Sequence, residues 1–338
     1  MKKAFLALAS SVTTPIGMII VFCSLLPAIG PVGEAGRSQP TDSSSFSSYS
    51  RETATFALGA GSVTSSYRIQ TISVVPERSI ELRVTASDGP AQFELIADAG
   101  AVSSRDDRSW NWRAPEQPGR YRVRVIRMNL PDTIVVNAFV TVPKERLEGE
   151  YLNGYRVGRY PRPPRPIYNH PDGFIEVTRE NLDVRVSPHF TLRQFVCKQQ
   201  SGYPKYVVLD RSLLTKLEIL LERFNAAGYH ANSFNVMSGY RTPHYNRAIG
   251  NVALSRHVWG AAADVFVDED GDDYMDDING DGKSDTSDIK ILYDIANELA
   301  TEADYQVFLG GLGTYRANSR HGPYLHVDVR GRRARWSR

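Results

Sequence analysis

The chain's 338 residues are enough for two modest domains with linkers, since domains commonly run to about 100–150 residues. With 41% hydrophobic and 23% charged residues it can build a core, which excludes wholesale disorder. A formal net charge of +2 argues neither for nor against an acidic partner, and no nucleic acid is expected.

Lys2 and Lys3 precede an uncharged stretch from Ala4 to Gly33, with an apolar run from Ile16 to Ile29 broken by Pro27. That pattern reads as an export signal over 1–35, with cleavage after Ala35. The stretch is longer than the roughly 7–15 residues of a signal core, so persistence as an inner-membrane anchor is the alternative, and it is the chain's only expected membrane contact. The expected location is the bacterial periplasm or cell envelope. Cys23 lies in this segment behind Phe22, where a lipoprotein signal would want a small residue, and only Cys197 remains in the mature chain. An exported protein with one cysteine has no internal disulfide and relies on its core, on metals, or on both. Serine-rich residues 36–50 read as a flexible linker.

Residues 51–145 show short alternating runs, among them Ser79-Ile-Glu-Leu-Arg-Val-Thr85, Ala91-Gln-Phe-Glu-Leu-Ile96 and Tyr121-Arg-Val-Arg-Val-Ile126, separated by turns such as Asp88-Gly-Pro90. Period-two alternation with regular turns predicts an all-β sandwich. The stretch from Trp110 to Tyr121 resembles the strand-turn-strand edge of immunoglobulin-like accessory domains. Its expected role is a spacer or wall-binding module. Residues 146–180, with Tyr160-Pro-Arg-Pro-Pro-Arg-Pro166, read as a Pro-rich, semi-rigid linker.

Residues 181–338 read as a separate α+β domain. Leu213, Leu214, Leu217, Leu220 and Phe224 fall at helical spacing between Arg211 and Ala227, with Gly228 as a stop. A second helix is predicted over 288–303. Strand-like runs at 234–237, 263–267 and 324–329 predict a small antiparallel sheet. The crowded arginines Arg330, Arg332, Arg333, Arg335 and Arg338 read as a solvated tail, or as a contact for an anionic polymer or membrane surface.

Chemistry concentrates in two segments of this domain. His257-Val-Trp-Gly-Ala-Ala-Ala-Asp264 brings an imidazole and a carboxylate together if His257 ends a turn and Asp264 points inward from the next strand. In Leu325-His326-Val-Asp328, residues two apart share one face of a strand. Two histidines with one carboxylate leave a fourth tetrahedral position for water, the composition of a catalytic zinc site.

These segments, with Ser238-Gly-Tyr-Arg-Thr-Pro243 and Asn246, resemble the zinc D-alanyl-D-alanine peptidase family, which shares its fold with the vancomycin-resistance dipeptidases and the hedgehog signalling domain. The family's motifs stand here as Ser238-Gly-Tyr-Arg241, Ser255-Arg-His257-Val-Trp-Gly260-Ala-Ala262-Ala-Asp264 and His326-Val-Asp328. Ser187-Pro-His-Phe-Thr-Leu-Arg-Gln-Phe195 is similar to its entry segment, and the resemblance spans about 187–330. It implies a hedgehog/DD-peptidase-like fold, zinc held by His257, Asp264 and His326, and Arg241 set over the substrate carbonyl to stabilise developing negative charge. The implied activity is hydrolysis of D-amino-acid peptide bonds in peptidoglycan stem peptides or crosslinks, as a D,D-carboxypeptidase or endopeptidase. Many relatives carry a general base two or three residues before the last histidine, where this chain has Tyr324 and Pro323. Asp328, then His321, are the candidates for that role, and Asp328 could instead orient a ligand histidine. A non-catalytic wall-binding or scaffolding protein stabilised by zinc and calcium is the alternative function.

Directly after Asp264 comes an acidic insertion, 268–288. Asp277, Asn279, Asp281, Asp285 and Asp288 occupy positions 1, 3, 5, 9 and 12 of a calcium loop, with Gly282 at the sharp turn and the Lys283 carbonyl at position seven. Asp288 stands where such loops usually carry glutamate. Asp268, Asp270, Asp272 and Asp276 form a half-site for a second ion.

Overall fold

A computed structural model describes residues 49–87 and 91–338. The expected export signal or anchor, Cys23, nearly all of the serine-rich linker and the Asp88-Gly-Pro turn lie outside the described residues. Among the described residues no helix is long and apolar enough to cross a membrane.

The chain is a mixed α and β protein of several small sheets and few helices. Among the described residues its first part builds two sheets from β1 (Thr53–Ala60), β2 (Val63–Tyr67), β3 (Ile69–Val74), β4 (Ser79–Thr85), β5 (Phe93–Ala97), β6 (Ala101–Asp106), β7 (Ser109–Arg113), β8 (Gly119–Arg127) and β9 (Asp132–Val140). One sheet runs β2-β1-β4-β7-β6 and the other β3-β9-β8-β5. All neighbours pair antiparallel except β3 with β9, which are parallel. Leu58, Leu82, Trp112, Val123, Val125, Ile134 and Val136 from both sheets share one core. The alternation seen in the sequence is the inward and outward face of strands such as β4 and β8.

Residues 146–180, expected as a linker, carry regular structure. A hairpin of β11 (Tyr151–Leu152) and β12 (Tyr155–Arg156) turns at Asn153 and Gly154, both at positive φ, the pairing a two-residue hairpin favours. β13 (Gly173–Val177) pairs with β10 (Val142–Pro143) on one side and β16 (Lys205–Val207) on the other, so it ties the first part to the second. Two further short strands, β14 (Arg185–Ser187) and β15 (Phe190–Thr191), follow it.

In the second part, β17 (Asn235–Ser238), β18 (Ala262–Phe266), β19 (Gly311–Tyr315), β20 (Tyr324–Asp328) and β21 (Ala334–Ser337) form a sheet of order β17-β18-β20-β19-β21. Helix α1 (Arg211–Ala226) is capped by the Asp210 carboxylate, which accepts from the Ser212 N–H, and buries Leu213, Leu217, Leu220, Leu221 and Phe224. A short α2 spans Pro243–Ala248, and α3 spans Thr286–Leu299. The C-terminal arginines are not a free tail. Residues 334–337 add a parallel strand beside β19, and Arg335 donates to the Gly310 carbonyl and to Asn297.

The two parts pack closely. Val63 and Phe139 enter the core of the second part. From the start of α1, the Arg211 guanidinium donates to the carbonyls of Ala60, Val63 and Leu58 and to Gln70. Burial pushes that guanidinium down to about 10. A charged donor satisfied by four oxygens anchors β1 and β2 onto α1 with specific geometry.

Candidate metal centre

The sheet register creates the site. Asp264 on β18 lies directly opposite His326 on β20, and Ser238 on β17 lies opposite Asp264 from the other side. His257 comes from a 3₁₀ helix, Arg256–Trp259, that ends at Gly260 with φ 62°. A Cβ at Gly260 would stand 2.0 Å from the Val208 carbonyl oxygen, so the glycine is required both for the left-handed turn and for the close approach. That turn swings the chain directly into β18 and brings His257 back over Asp264.

His257, Asp264 and His326 each offer one ligand atom, and these atoms lie within 4.8 Å of one another. His257 Nε2 is 3.2 Å from Asp264 Oδ1 and 3.2 Å from His326 Nδ1, and His326 Nδ1 is 2.8 Å from the same Oδ1. Each ring's other nitrogen is engaged: His257 Nδ1 donates to the Gly239 carbonyl at 2.7 Å, and His326 Nε2 to Asp328 Oδ2 at 3.2 Å. With those protons fixed behind, both rings turn a lone pair toward Asp264. Three buried lone pairs aimed at one point repel unless a cation stands among them. Two imidazoles and a carboxylate suit zinc.

With no cation among them, the three groups shift one another's protonation. Burial lowers the His257 imidazole against the pull of Asp264. Burial alone would raise Asp264, but His257, His326 and Arg241 outweigh it and hold the carboxyl well below the usual range. For His326, burial works downward while its bonds to Asp264 and Asp328 win and raise it.

Asp328 sits behind His326 with no exposed surface. Its Oδ1 accepts from the Gly311 and Arg330 N–H groups at 2.8 and 3.0 Å, and the Arg330 guanidinium clasps both oxygens. Burial opposes ionisation, but His326 and Arg330 hold this carboxyl well below the usual range. Arg330 also lies over the Trp336 ring, whose centroid is 5.2 Å from that of His326. Gly313, paired with His326, admits that ring: a Cβ there would stand 2.2 Å from the indole. Lys216 of α1, buried, donates to the Asp328 and Phe308 carbonyls, and burial pushes its ammonium down to about 7.

Arg241 Nε donates to Ser238 Oγ at 2.8 Å, and Nη2 pairs with Asp264 Oδ2. It therefore borders the site through the outer oxygen of the shared carboxylate. His321 is not gathered with the three. Its Nδ1 faces the Gly322 carbonyl at 2.8 Å and its Nε2 meets Asn318 Nδ2 at 2.7 Å, while its ring stands edge-on to Tyr324.

In the acidic insertion, Asp268, Asp270 and Asp272 converge, whereas Asp276 is not gathered with them and accepts from the Glu269 N–H. The stretch from Asp277 to Asp288 gathers no such carboxylate trio. Asp277, Asn279 and Asp281 accept from amides within the loop, the last from the Lys283 N–H. Asp288 is buried with its oxygens on the Ile278, Asn279 and Asp285 amides, completing the capping box of α3 with Asp285. Its Oδ2 caps the helix start at the Asp285 amide, while its Oδ1 spans the loop to the Ile278 and Asn279 amides beside Asp277.

Residues 188–279 match the Peptidase M15 family model. The match supports the M15 zinc peptidases, and with them a metallopeptidase. It includes His257 and Asp264 and stops before His326, which the β18–β20 register supplies. No curated protein matched the chain.

Lys216 and Trp336 did not stand out in the sequence, and Arg330 stood out only as one of the crowded C-terminal arginines. Arg330 carried a usable signal, since it continues the alternation of His326 and Asp328 beyond the strand. Lys216 and Trp336 carried none, because their roles arise from packing between distant segments.

Proposed function

We propose that residues 181–338 form a hedgehog/DD-peptidase-like zinc domain that hydrolyses D-amino-acid peptide bonds in peptidoglycan stem peptides or crosslinks, as a D,D-carboxypeptidase or endopeptidase. The observation that carries the reading is the convergence of His257 Nε2, Asp264 Oδ1 and His326 Nδ1 with every other ring nitrogen already tied. Zinc held there supplies a Lewis acid and a water whose pKa falls to about 7. His257 and His326 present neutral lone pairs, and Asp264 contributes the charge. Arg241 keeps Nη1 outside its bonds to Ser238 and Asp264, so that N–H can meet a carbonyl oxygen as negative charge develops. Asp328 holds the proton on His326 Nε2 and fixes the ring.

The same reading takes 51–145 as an immunoglobulin-like accessory domain and places the protein in the bacterial periplasm or cell envelope. It adds calcium at Asp268, Asp270 and Asp272. One observation favours the non-catalytic, wall-binding alternative: among the described residues, neither candidate base has a nitrogen or oxygen turned toward the three ligands without another partner. Digestion of purified peptidoglycan with and without a chelator, followed by mass analysis, separates the two. Peptidase action releases chelator-sensitive fragments shortened at D-amino-acid bonds. Intact peptidoglycan retained by a zinc-loaded chain would sink the peptidase reading.

A further inference from the structure

The Pro-rich segment lies along the helix that carries His257. Tyr160 Oη donates to the Val258 carbonyl at 3.1 Å and so accepts from Tyr240 Oη at 3.0 Å. Arg256 donates to the Ile167 carbonyl at 2.6 Å, and Trp259 Nε1 to the Asn169 carbonyl at 3.0 Å. The Arg256 guanidinium stands over the Tyr168 and Trp259 rings, and Trp259 meets Tyr160 and Tyr168 edge-on. All three residues flanking His257 in its helix are thus held by residues 160–169. Four prolines between Pro161 and Pro166 restrict the backbone of this arm, so fixing it costs little further entropy.

The Tyr160 hydroxyl is placed at a particular join. From inside, His257 is tied to the 238–241 segment by its Nδ1 bond to Gly239 and by the Arg241 N–H to its own carbonyl at 3.1 Å. From outside, one hydroxyl bridges the next residue of each partner, Tyr240 and Val258. We infer that the Pro-rich arm is a strap that sets the position of the ligand His257, with Tyr160 as its positioning residue. The inference rests on the zinc peptidase reading for its consequence in activity, while the strap itself can be measured without metal.

The test is Tyr160→Phe in the full chain, which keeps the ring packing and removes the hydroxyl. Without metal, the Arg241, Gly260 and Ala261 amides, all bonded to carbonyls of the His257 helix, exchange at least about tenfold faster than in the unaltered chain, and those of β8 and β9 do not change. With zinc, the dissociation constant rises by about tenfold, the lower end of what residues supporting a metal ligand contribute. The melting temperature stays within a few degrees. Unchanged amide exchange and unchanged zinc affinity overturn the strap, as does a lowered melting temperature with both of those unchanged. Should Tyr160→Phe fail to fold, Trp259→Phe, which loses the indole bond to Asn169, carries the same measurements. An unaltered chain that binds no zinc sinks the peptidase reading, and amide exchange still decides the strap.

Discussion

Replacing Asp328 by asparagine exchanges one carboxylate oxygen for an amide nitrogen in a pocket lined by donors. Oδ2 faces His326 Nε2 and the Arg330 guanidinium, and Oδ1 faces the Gly311 and Arg330 amides. Whichever oxygen is replaced, an NH₂ group meets an N–H. With the nitrogen toward His326, the ring favours a proton on Nδ1 and loses the lone pair it turns to the metal. Zinc affinity should weaken by about 10–100-fold, the usual cost of removing such a partner, or about 1.4–2.7 kcal/mol. Stability should fall as well, by less than the roughly 3–5 kcal/mol of a fully buried broken pair, because the Arg330 side chain is 22% exposed and can draw in water. The assay pairs a chelator competition for zinc affinity with turnover on a D-alanyl-D-alanine peptide at saturating zinc. Excess zinc should restore turnover to near the unaltered rate. A loss of about 10²–10⁴-fold that persists at saturating zinc, with affinity unchanged, would make Asp328 the general base and refute the orienting role.

His257→Ala and His326→Ala should each abolish the roughly one equivalent of zinc per chain, and full occupancy in both by elemental analysis would overturn the ligand set. Gly260→Ala should lower the unfolding free energy by at least about 2 kcal/mol in denaturant titration, because the left-handed turn alone costs about 1–2 kcal/mol and the new Cβ meets the Val208 carbonyl. A loss under about 0.5 kcal/mol would show that the turn is not needed. Burial lowers the His189 imidazole, but the Glu218 carboxylate at 2.7 Å outweighs it and raises the pKa. The stability this pair contributes is full below the unfolded value of about 6.5 and is lost as pH rises through the raised folded value. The melting temperature of the unaltered chain should therefore fall more between about pH 6 and 9 than that of His189→Gln, and parallel curves would exclude the linkage. Added calcium should raise the melting temperature, and the double variant Asp268→Asn, Asp272→Asn should lose that rise; no calcium response in the unaltered chain would leave the insertion a solvated acidic loop.

The parts of this molecule that were legible in its sequence are those fixed by local periodicity. α1 runs over Arg211–Ala226, where its leucines predicted it, and β18 and β20 fall within a residue of the expected runs. The seven-residue spacing from His257 to Asp264 and a strand-like run at His326 marked the segments, and the family resemblance implied the three ligands, whose atoms then meet. Register was the missing information. Nothing local says that Asp264 pairs with His326 rather than with a neighbour, or that Asp328 consequently falls behind the histidine where Gly311 and Arg330 consume its oxygens.

The same limit explains the misread segments. A run of prolines rules out regular backbone bonding, and from that a linker was the natural reading, yet the residues flanking the prolines remain free to bind. Tyr160, Tyr168 and the carbonyls of Ile167 and Asn169 do so against the His257 helix. Asp288 shows the converse. Its position in a calcium-like spacing and its position as the third residue of a helix are equally good in sequence, which leaves open the segment the carboxylate meets. Its two oxygens in fact serve both segments: Oδ2 accepts from the Asp285 amide at the helix start, and Oδ1 accepts from the Ile278 and Asn279 amides beside Asp277.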